Sequence, residues 1–185
     1  MAAKNSVNAS EIAWHMRCHA QEQHHEWITP NVFLYAWESD LVTVSPLGLV
    51  HEIEVKCSRS DLKNDLKKPK HQRGHLVKGI TPHAMGARKQ GTKATPHPGP
   101  NYFSFAMPCA VLRKPGRPDI PGFAGIYTID ELGRVQEERP PTLLHPERIS
   151  TRQLFLLARR IHHRYWDHLR RSMHAPDTLQ LELAG

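Results

Sequence analysis

Apolar and polar positions alternate with a period of two in the first half of the chain. Residues 41–44 (Leu-Val-Thr-Val) and 49–57 read as two strands rich in β-branched side chains. The stretch from Val32 to Trp37 leads into the first of them. Between the two lies Ser45-Pro46-Leu47-Gly48, turn chemistry with Pro and Gly at the positions a tight turn requires. Before them, Ile12, Met16 and Ala20 keep helical spacing over about 11–25, with Asn8-Ala9-Ser10 supplying N-cap candidates and Pro30 closing the region. After them, Ser58 or Ser60 caps a short helix with Leu62 and Leu66 on one face, ending near Pro69. Residues 102–107 form an apolar strand. A loop at 112–121 precedes a hairpin made by 123–129 and 134–137, turning at 130–133. The longest helix spans about 151–173, opened by Ser150-Thr151-Arg152-Gln153, with Leu154, Leu157, Ile161, Tyr165 and Leu169 as its buried stripe. The order predicts one α/β domain over residues 1–185, a central mixed β-sheet flanked by helices.

Charge adds what hydropathy does not show. The chain of 185 residues carries a formal net charge of +7, unevenly distributed. Residues 1–65 hold 5 basic and 9 acidic side chains; residues 66–118 hold 11 basic and no acidic ones; residues 119–185 hold 9 of each. Within the basic block, residues 69–100 lose regular hydrophobic patterning and read as a flexible loop. An acid-free basic segment is suited to phosphate backbones, because lysine and arginine displace their counterions. A solvated loop kept soluble by charge is the alternative. Within the 66–118 block, Lys67, Lys70, Arg73, Lys78, Arg88, Lys89 and Lys93 are the candidate nucleic-acid contacts. The loop lacks aromatic residues, which favours phosphate contact over base stacking.

The strand at 49–57 carries the candidate chemistry. Ile53, Val55 and Cys57 share one face; Glu52, Glu54 and Lys56 share the other. With Gly48 in a left-handed conformation, Ser45 pairs with Leu49, and the count back places Asp40 opposite Glu54. Carboxylates facing each other across a ladder repel, unless a cation lies between them. A magnesium ion accepts one or two carboxylates plus water, and Lys56 reaches the same space, where it could orient or deprotonate a water. The competing reading is a solvent-facing strand with an ordinary Glu-Lys pair.

Asp40, a gap of 13 residues, Glu54-Val55-Lys56, then Ser58, Asp61, Asp65 and Lys67/Lys68 resemble the PD-(D/E)XK nuclease superfamily, whose fold is restriction-endonuclease-like. Residues 54–62 with Asp65 and Lys68 are similar to the MmcB-type DNA repair nucleases. Residues 102–108, Ala124-Gly125-Ile126-Tyr127 and Gly133-Arg134-Val135 fit the same order, so the resemblance spans about residues 10–150. It implies a metal-dependent phosphodiesterase in which Asp40, Glu54 and the Val55 carbonyl hold Mg²⁺ or Mn²⁺ and Lys56 acts on the attacking water. An acid from the first helix often completes such sites. Glu11 is the candidate here, with a capping role against the helix dipole as its alternative, and Glu38 competes with it. Glu52 is a candidate supporting acid. Asp61, Asp65 and Lys68 either support the site or form a salt-bridged helix face. Ser39 stands where the superfamily usually has proline, and the 69–100 segment is longer than the compact pattern.

The remaining signals narrow the field. Cys18, Cys57 and Cys109 have neither disulfide-framework nor zinc-module spacing, and suit a reducing cytoplasm. Cys57 reads as a small core residue. The 14 histidines, His15 and His19, His24-His25 and His162-His163 among them, match no zinc motif and read as scattered surface residues. No membrane span, signal segment or P-loop is present in the pattern. The expected function is DNA cleavage in repair, recombination or the processing of phage or mobile-element DNA. A non-catalytic nucleic-acid-binding module on the same fold is the alternative, and a protein that offers its basic loop to an acidic partner is a third. A homodimer is compatible with all three.

Overall fold

The computed structural model describes residues 7–71, 73–78, 99–113 and 119–174. Among them a six-stranded mixed sheet runs in the order β1-β2-β3-β4-β5-β6. The strands are β1 (Glu26–Val32), β2 (Ser39–Val44), β3 (Val50–Val55), β4 (Tyr102–Pro108), β5 (Gly125–Ile129) and β6 (Val135–Arg139). Pairs β3–β4 and β4–β5 are parallel and the other three antiparallel. The helices are α1 (Ala9–Glu22), α2 (Arg59–Asp65), α3 (Arg73–Lys78), α4 (Cys109–Arg113) and α5 (Thr151–His174), with a 3₁₀ turn at Pro69–His71. The α/β class expected from the pattern is the architecture observed.

Both faces of the sheet are covered. On one, Ile12 and Met16 of α1 pack on Leu41, Ile53, Val55, Ala106, Tyr127 and Ile129. On the other, Phe103, Phe105 and Met107 of β4 pack with Trp37, Leu62 and Leu76, while Leu157 of α5 closes over Val42, Val44 and Val50. Truncating one of the two phenylalanines costs roughly 3–5 kcal/mol, because the β-sheet around it cannot collapse to fill the void.

The β2–β3 hairpin has the register read from its turn. Gly48 takes φ +75°, the Ser45 amide donates to the Leu49 carbonyl at 2.9 Å, and Leu41 pairs with Ile53. Continued by one residue, that ladder sets Asp40 opposite Glu54.

Four expectations require correction. Residues 26–32 form the edge strand β1 rather than a break at Pro30. Pro30 is tolerated because an edge strand has one side free of ladder bonds, and Trp27 and Asn31 take positive φ (50° and 44°) beside an irregular register. The 69–100 segment is ordered at its start, as the 3₁₀ turn and α3, with Leu76 fully buried; Arg88, Lys89 and Lys93 lie outside the described residues. Along α5 only Leu157 of the expected stripe is buried, and Ile161 and Tyr165 are exposed. Past Leu157 the helix is held instead by Arg160 and Arg164, which donate to the Asn31 carbonyl, Arg164 also to that of Pro30. Cys57 is exposed, because β3 ends at Val55 and the chain turns outward to the Ser58 cap of α2.

Candidate active site

The site lies at the carboxyl end of β3, where the parallel part of the sheet opens between α1 on one face and α2 on the other. Three carboxylates meet three ammonium groups there. Glu54 and Lys56 are buried, not solvent-facing as in the bland reading of this strand, because Phe103 and Phe105 of β4 extend the same face. Lys56 Nζ lies 3.1 Å from Glu54 Oε2, 3.1 Å from Asp65 Oδ2 and 3.8 Å from Asp40 Oδ2. Asp40 is half-buried, and its Oδ2 accepts the Val55 amide at 2.9 Å, which pins it to the end of the neighbouring strand. Lys70, from the 3₁₀ turn, donates to Glu54 Oε1 at 2.6 Å.

Asp65 joins the cluster because α2 is short and well started. Ser58 caps it, accepting the Asp61 amide at 3.2 Å, and the next turn points Leu62 and Asp65 inward. Asp65 is buried, ion-paired with Lys68 and lies 2.6 Å from His71 Nε2. The His71 ring packs against Phe103 and Phe105 at centroid distances of 5.2 and 5.5 Å. Asp61, on the same helix, stays exposed on the cleft wall, so the expected Asp61–Asp65–Lys68 face divides into a buried and a solvated part.

Electrostatics follow from this geometry. Burial and the charge of Glu54 push the Asp40 carboxyl above its usual range. Burial also opposes charge on Glu54, but Lys70 and Lys56 outweigh it and hold the carboxyl below its ordinary value. Asp65 is held lower still: burial works against its charge, and His71, Lys68 and Lys56 more than offset it. Burial would strip the Lys56 proton, yet Glu54, Asp65 and Asp40 together raise its affinity well above that of an ordinary lysine. In this cluster Lys56 holds its proton firmly, which favours orienting a water over deprotonating it, the two roles expected of it.

The other predicted residues separate. Glu52 is buried and accepts from Trp37 Nε1 at 2.8 Å; burial, then the charge of Glu54, pushes it up to about 8. Glu11 forms a capping box with Asn8, its Oε2 accepting the Asn8 amide at 2.8 Å, and is absent from the cleft lining. Glu38 is exposed on the cleft rim. Lys67 and Arg73 are exposed, and Lys78 ends α3. Lys70, expected in the basic loop, is paired with Glu54 in the cluster and lines the cleft. Sequence reasoning did not connect Lys70 and His71 with the acids. The available signal was a Pro-Lys-His turn one turn past a buried Asp.

Two donor sets can hold a cation. Asp40 and Glu54 open with the Val55 segment onto a cleft of about 810 Å³. Glu54, Asp65 and His71 bring one ligand atom each within 4.8 Å of one another, all buried. The first set fits a hard divalent ion better. Its donors are oxygens with open space for the waters that Mg²⁺ retains, and a cation there would offset the burial and the charge of Glu54 that together raise Asp40. Both sets are already paired within the protein, Glu54 with Lys56 and Lys70 and Asp65 with His71, so open space and oxygen donors set the first apart.

On the sheet face covered by α1, a second cavity of about 510 Å³ is lined by His19, His25, His51, Tyr127 and Glu137. Three histidines expected at scattered surface positions are thus gathered by the fold. His51 is buried and shares a 2.7 Å hydrogen bond with Ser104 Oγ; His25 shares one of 2.8 Å with Thr43 Oγ1. Burial, then the charges of His25 and His19, pushes His51 down to about 3.

No helix among the described residues is long and apolar enough to cross a membrane. No protein-family model and no curated protein matches the chain. Among solved structures, a protein of unknown function from Silicibacter pomeroyi is similar in fold, with a TM-score of 0.53 at 15% identity, covering 96% of this chain and 97% of the other.

Proposed function

We propose that this chain is a restriction-endonuclease-like, metal-dependent nuclease that hydrolyses phosphodiester bonds of DNA in the cytoplasm. The observation that supports it best is Lys56, buried at the end of β3 within 3.1 Å of Glu54 and 3.8 Å of Asp40, on the rim of an open cleft. Asp40 and Glu54 would hold Mg²⁺ or Mn²⁺, with the Val55 carbonyl as a further ligand. When bound, the ion supplies Lewis acidity toward a phosphate oxygen and acidifies water. The chain's own residues bind and orient. Lys56 presents a permanent positive charge to the phosphoryl oxygens and fixes both carboxylates. Lys68, half-exposed on the cleft wall, meets the flanking phosphate. With its proton held this firmly, Lys56 stabilises charge and does not serve as the general base.

Cleavage of a labelled DNA mixture with Mg²⁺ or Mn²⁺ tests the reading. Asp40→Asn and Lys56→Ala each lower the rate by roughly 100-fold or more. A Lys56→Ala protein that cuts like wild type overturns the assignment. One observation favours the second reading, a DNA-binding module without catalysis: three lysines already balance the three acids. Calorimetry separates the two readings, because a silent Mn²⁺ titration that Asp40→Asn leaves unchanged supports the module.

A further inference from the structure

The wall of the cleft contributed by α1 has no role in the chemistry above, and it is not inert. Ile12 and Met16 of that helix are buried in the core, while Trp14 and Arg17 turn the other way and line the same cleft as Asp40, Glu54 and Lys56. Trp14 is 58% exposed. A lone exposed apolar residue needs no explanation on an ordinary surface. Here the indole is held in place. Arg17, one turn along, lies over its ring at 5.1 Å from the centroid and donates to Gln21 Oε1 at 3.3 Å. A guanidinium supported from behind keeps the ring in one orientation with most of its surface open. Across the cleft stand Lys68 and Lys70, so aromatic and cationic groups line the two walls of one groove.

We propose that Trp14 and Arg17 form a stacking subsite for an unpaired nucleotide, which directs the cleft to single-stranded or frayed DNA. An indole stacks on the face of a base, and inside a duplex both faces are covered by neighbouring pairs. A base can reach Trp14 only where the strand is unpaired or at its end. The guanidinium of Arg17 then meets the adjoining phosphate, while Lys68 takes the backbone on the far wall. Residues 69–100 contain no Phe, Trp or Tyr, so among the groups assembled at this cleft Trp14 supplies the stacking that they cannot.

The proposal rests on the reading of the cleft as a DNA site but not on cleavage, and its test is a binding measurement. Fluorescence anisotropy of a labelled single-stranded deoxyoligonucleotide, and of a closed circular duplex containing the same sequence and having no ends, is followed in EDTA with wild type, Trp14→Ala and Trp14→Phe. Trp14→Ala weakens single-strand binding roughly tenfold and leaves duplex binding within about twofold, and Trp14→Phe recovers most of the loss. Because Trp14 is exposed, thermal melts of the variants match wild type. Equal loss on strand and duplex, or no loss on either, overturns the subsite. The nuclease reading fails separately: a wild type inert with Mn²⁺ but showing the Trp14 pattern keeps the subsite and loses the enzyme. A Trp14→Ala protein that binds and cuts single strands like wild type does the reverse.

Discussion

The two faces of β3 bury ionisable groups by opposite means. On the Glu54 face, acids and lysines are kept charged by pairing: Glu54 with Lys56 and Lys70, Asp65 with Lys68 and His71. On the His51 face, burial pushes His51 and His25 toward the neutral form, and a hydroxyl lies beside each, Ser104 for His51 and Thr43 for His25. Glu54, Asp65 and His51 are all buried, so among them the difference lies in partners. A buried charge is tolerated where several opposite charges converge, and where they are absent the group loses its charge instead. Of the two, the first face gathers paired carboxylates and ammonium groups beside the cleft.

The largest effect expected from this contrast is on stability. Asp65→Asn leaves Lys56 and His71 buried beside a neutral amide and costs roughly 3–5 kcal/mol, the usual penalty for breaking a buried pair on one side. Ser104→Ala removes one hydroxyl from a neutral imidazole and costs about 1–2 kcal/mol. Urea denaturation of the two variants measures both. Equal losses would mean that the two faces do not differ in the way described.

pH separates them next, and Glu52 sharpens the contrast because it shares the face of Glu54 but bonds Trp37 where Glu54 bonds lysines. In the native state Glu52 is raised from 4.5 to about 8, so between those values the folded protein keeps a proton that the unfolded chain has lost. That contribution is complete below pH 4.5 and is lost as pH rises to 8. His51 is depressed from 6.5 to about 3. Its contribution is complete above 6.5 and is lost as pH falls toward 3, because the unfolded chain takes up the proton first. Glu52→Gln therefore gains about 2–4 kcal/mol relative to wild type at pH 8 over its difference at pH 4.5. His51→Gln gains in the acid range instead. Denaturant midpoints across pH 4–8 check both slopes, and slopes of the same sign would refute the assignment.

The β2–β3 hairpin was legible because its register depends on local chemistry alone: a Pro-Leu-Gly turn, alternation, and the count from Ser45 to Asp40. β4 as an apolar strand, the β5–β6 hairpin and the start of α5 were legible from local pattern too, whereas the parallel pairing of β4 was not. What was not legible depends on tertiary partners. Strand β1 carries Pro30 and two positive-φ residues, features that locally oppose a strand and persist because β2 and α5 support its edge. Lys70 and His71 resembled the rest of a solvated basic tract until α2 folded back and brought Asp65 and Glu54 to them. Ile161 and Tyr165 keep helical spacing with Leu157, but periodicity does not show how far along α5 the sheet reaches. The burial of Glu52 and Glu54 was equally hidden, since it is set by Phe103 and Phe105 about fifty residues later.

The smallest effect tests whether the paired face is poised for a cation or already complete without one. Lys70 Nζ sits 2.6 Å from Glu54 Oε1, the oxygen through which Glu54 would reach a metal in the cleft. Ammonium and dication compete for one acceptor, so removing the first favours the second. Lys70→Ala should tighten Mn²⁺ binding by roughly tenfold in calorimetry. Lys68→Ala is the control: it removes the same unit of charge, but from Asp65 and from a half-exposed position, and should shift Mn²⁺ affinity by less than about threefold. If both lysines act alike, overall charge governs the cleft and Lys70 has no special place in it. If Lys70→Ala weakens Mn²⁺ binding, Lys70 orients Glu54 for the metal rather than standing in for it. A tightening confined to Lys70→Ala identifies Glu54 Oε1 as a ligand oxygen and extends the contrast with the histidine face, where no ammonium guards an acceptor.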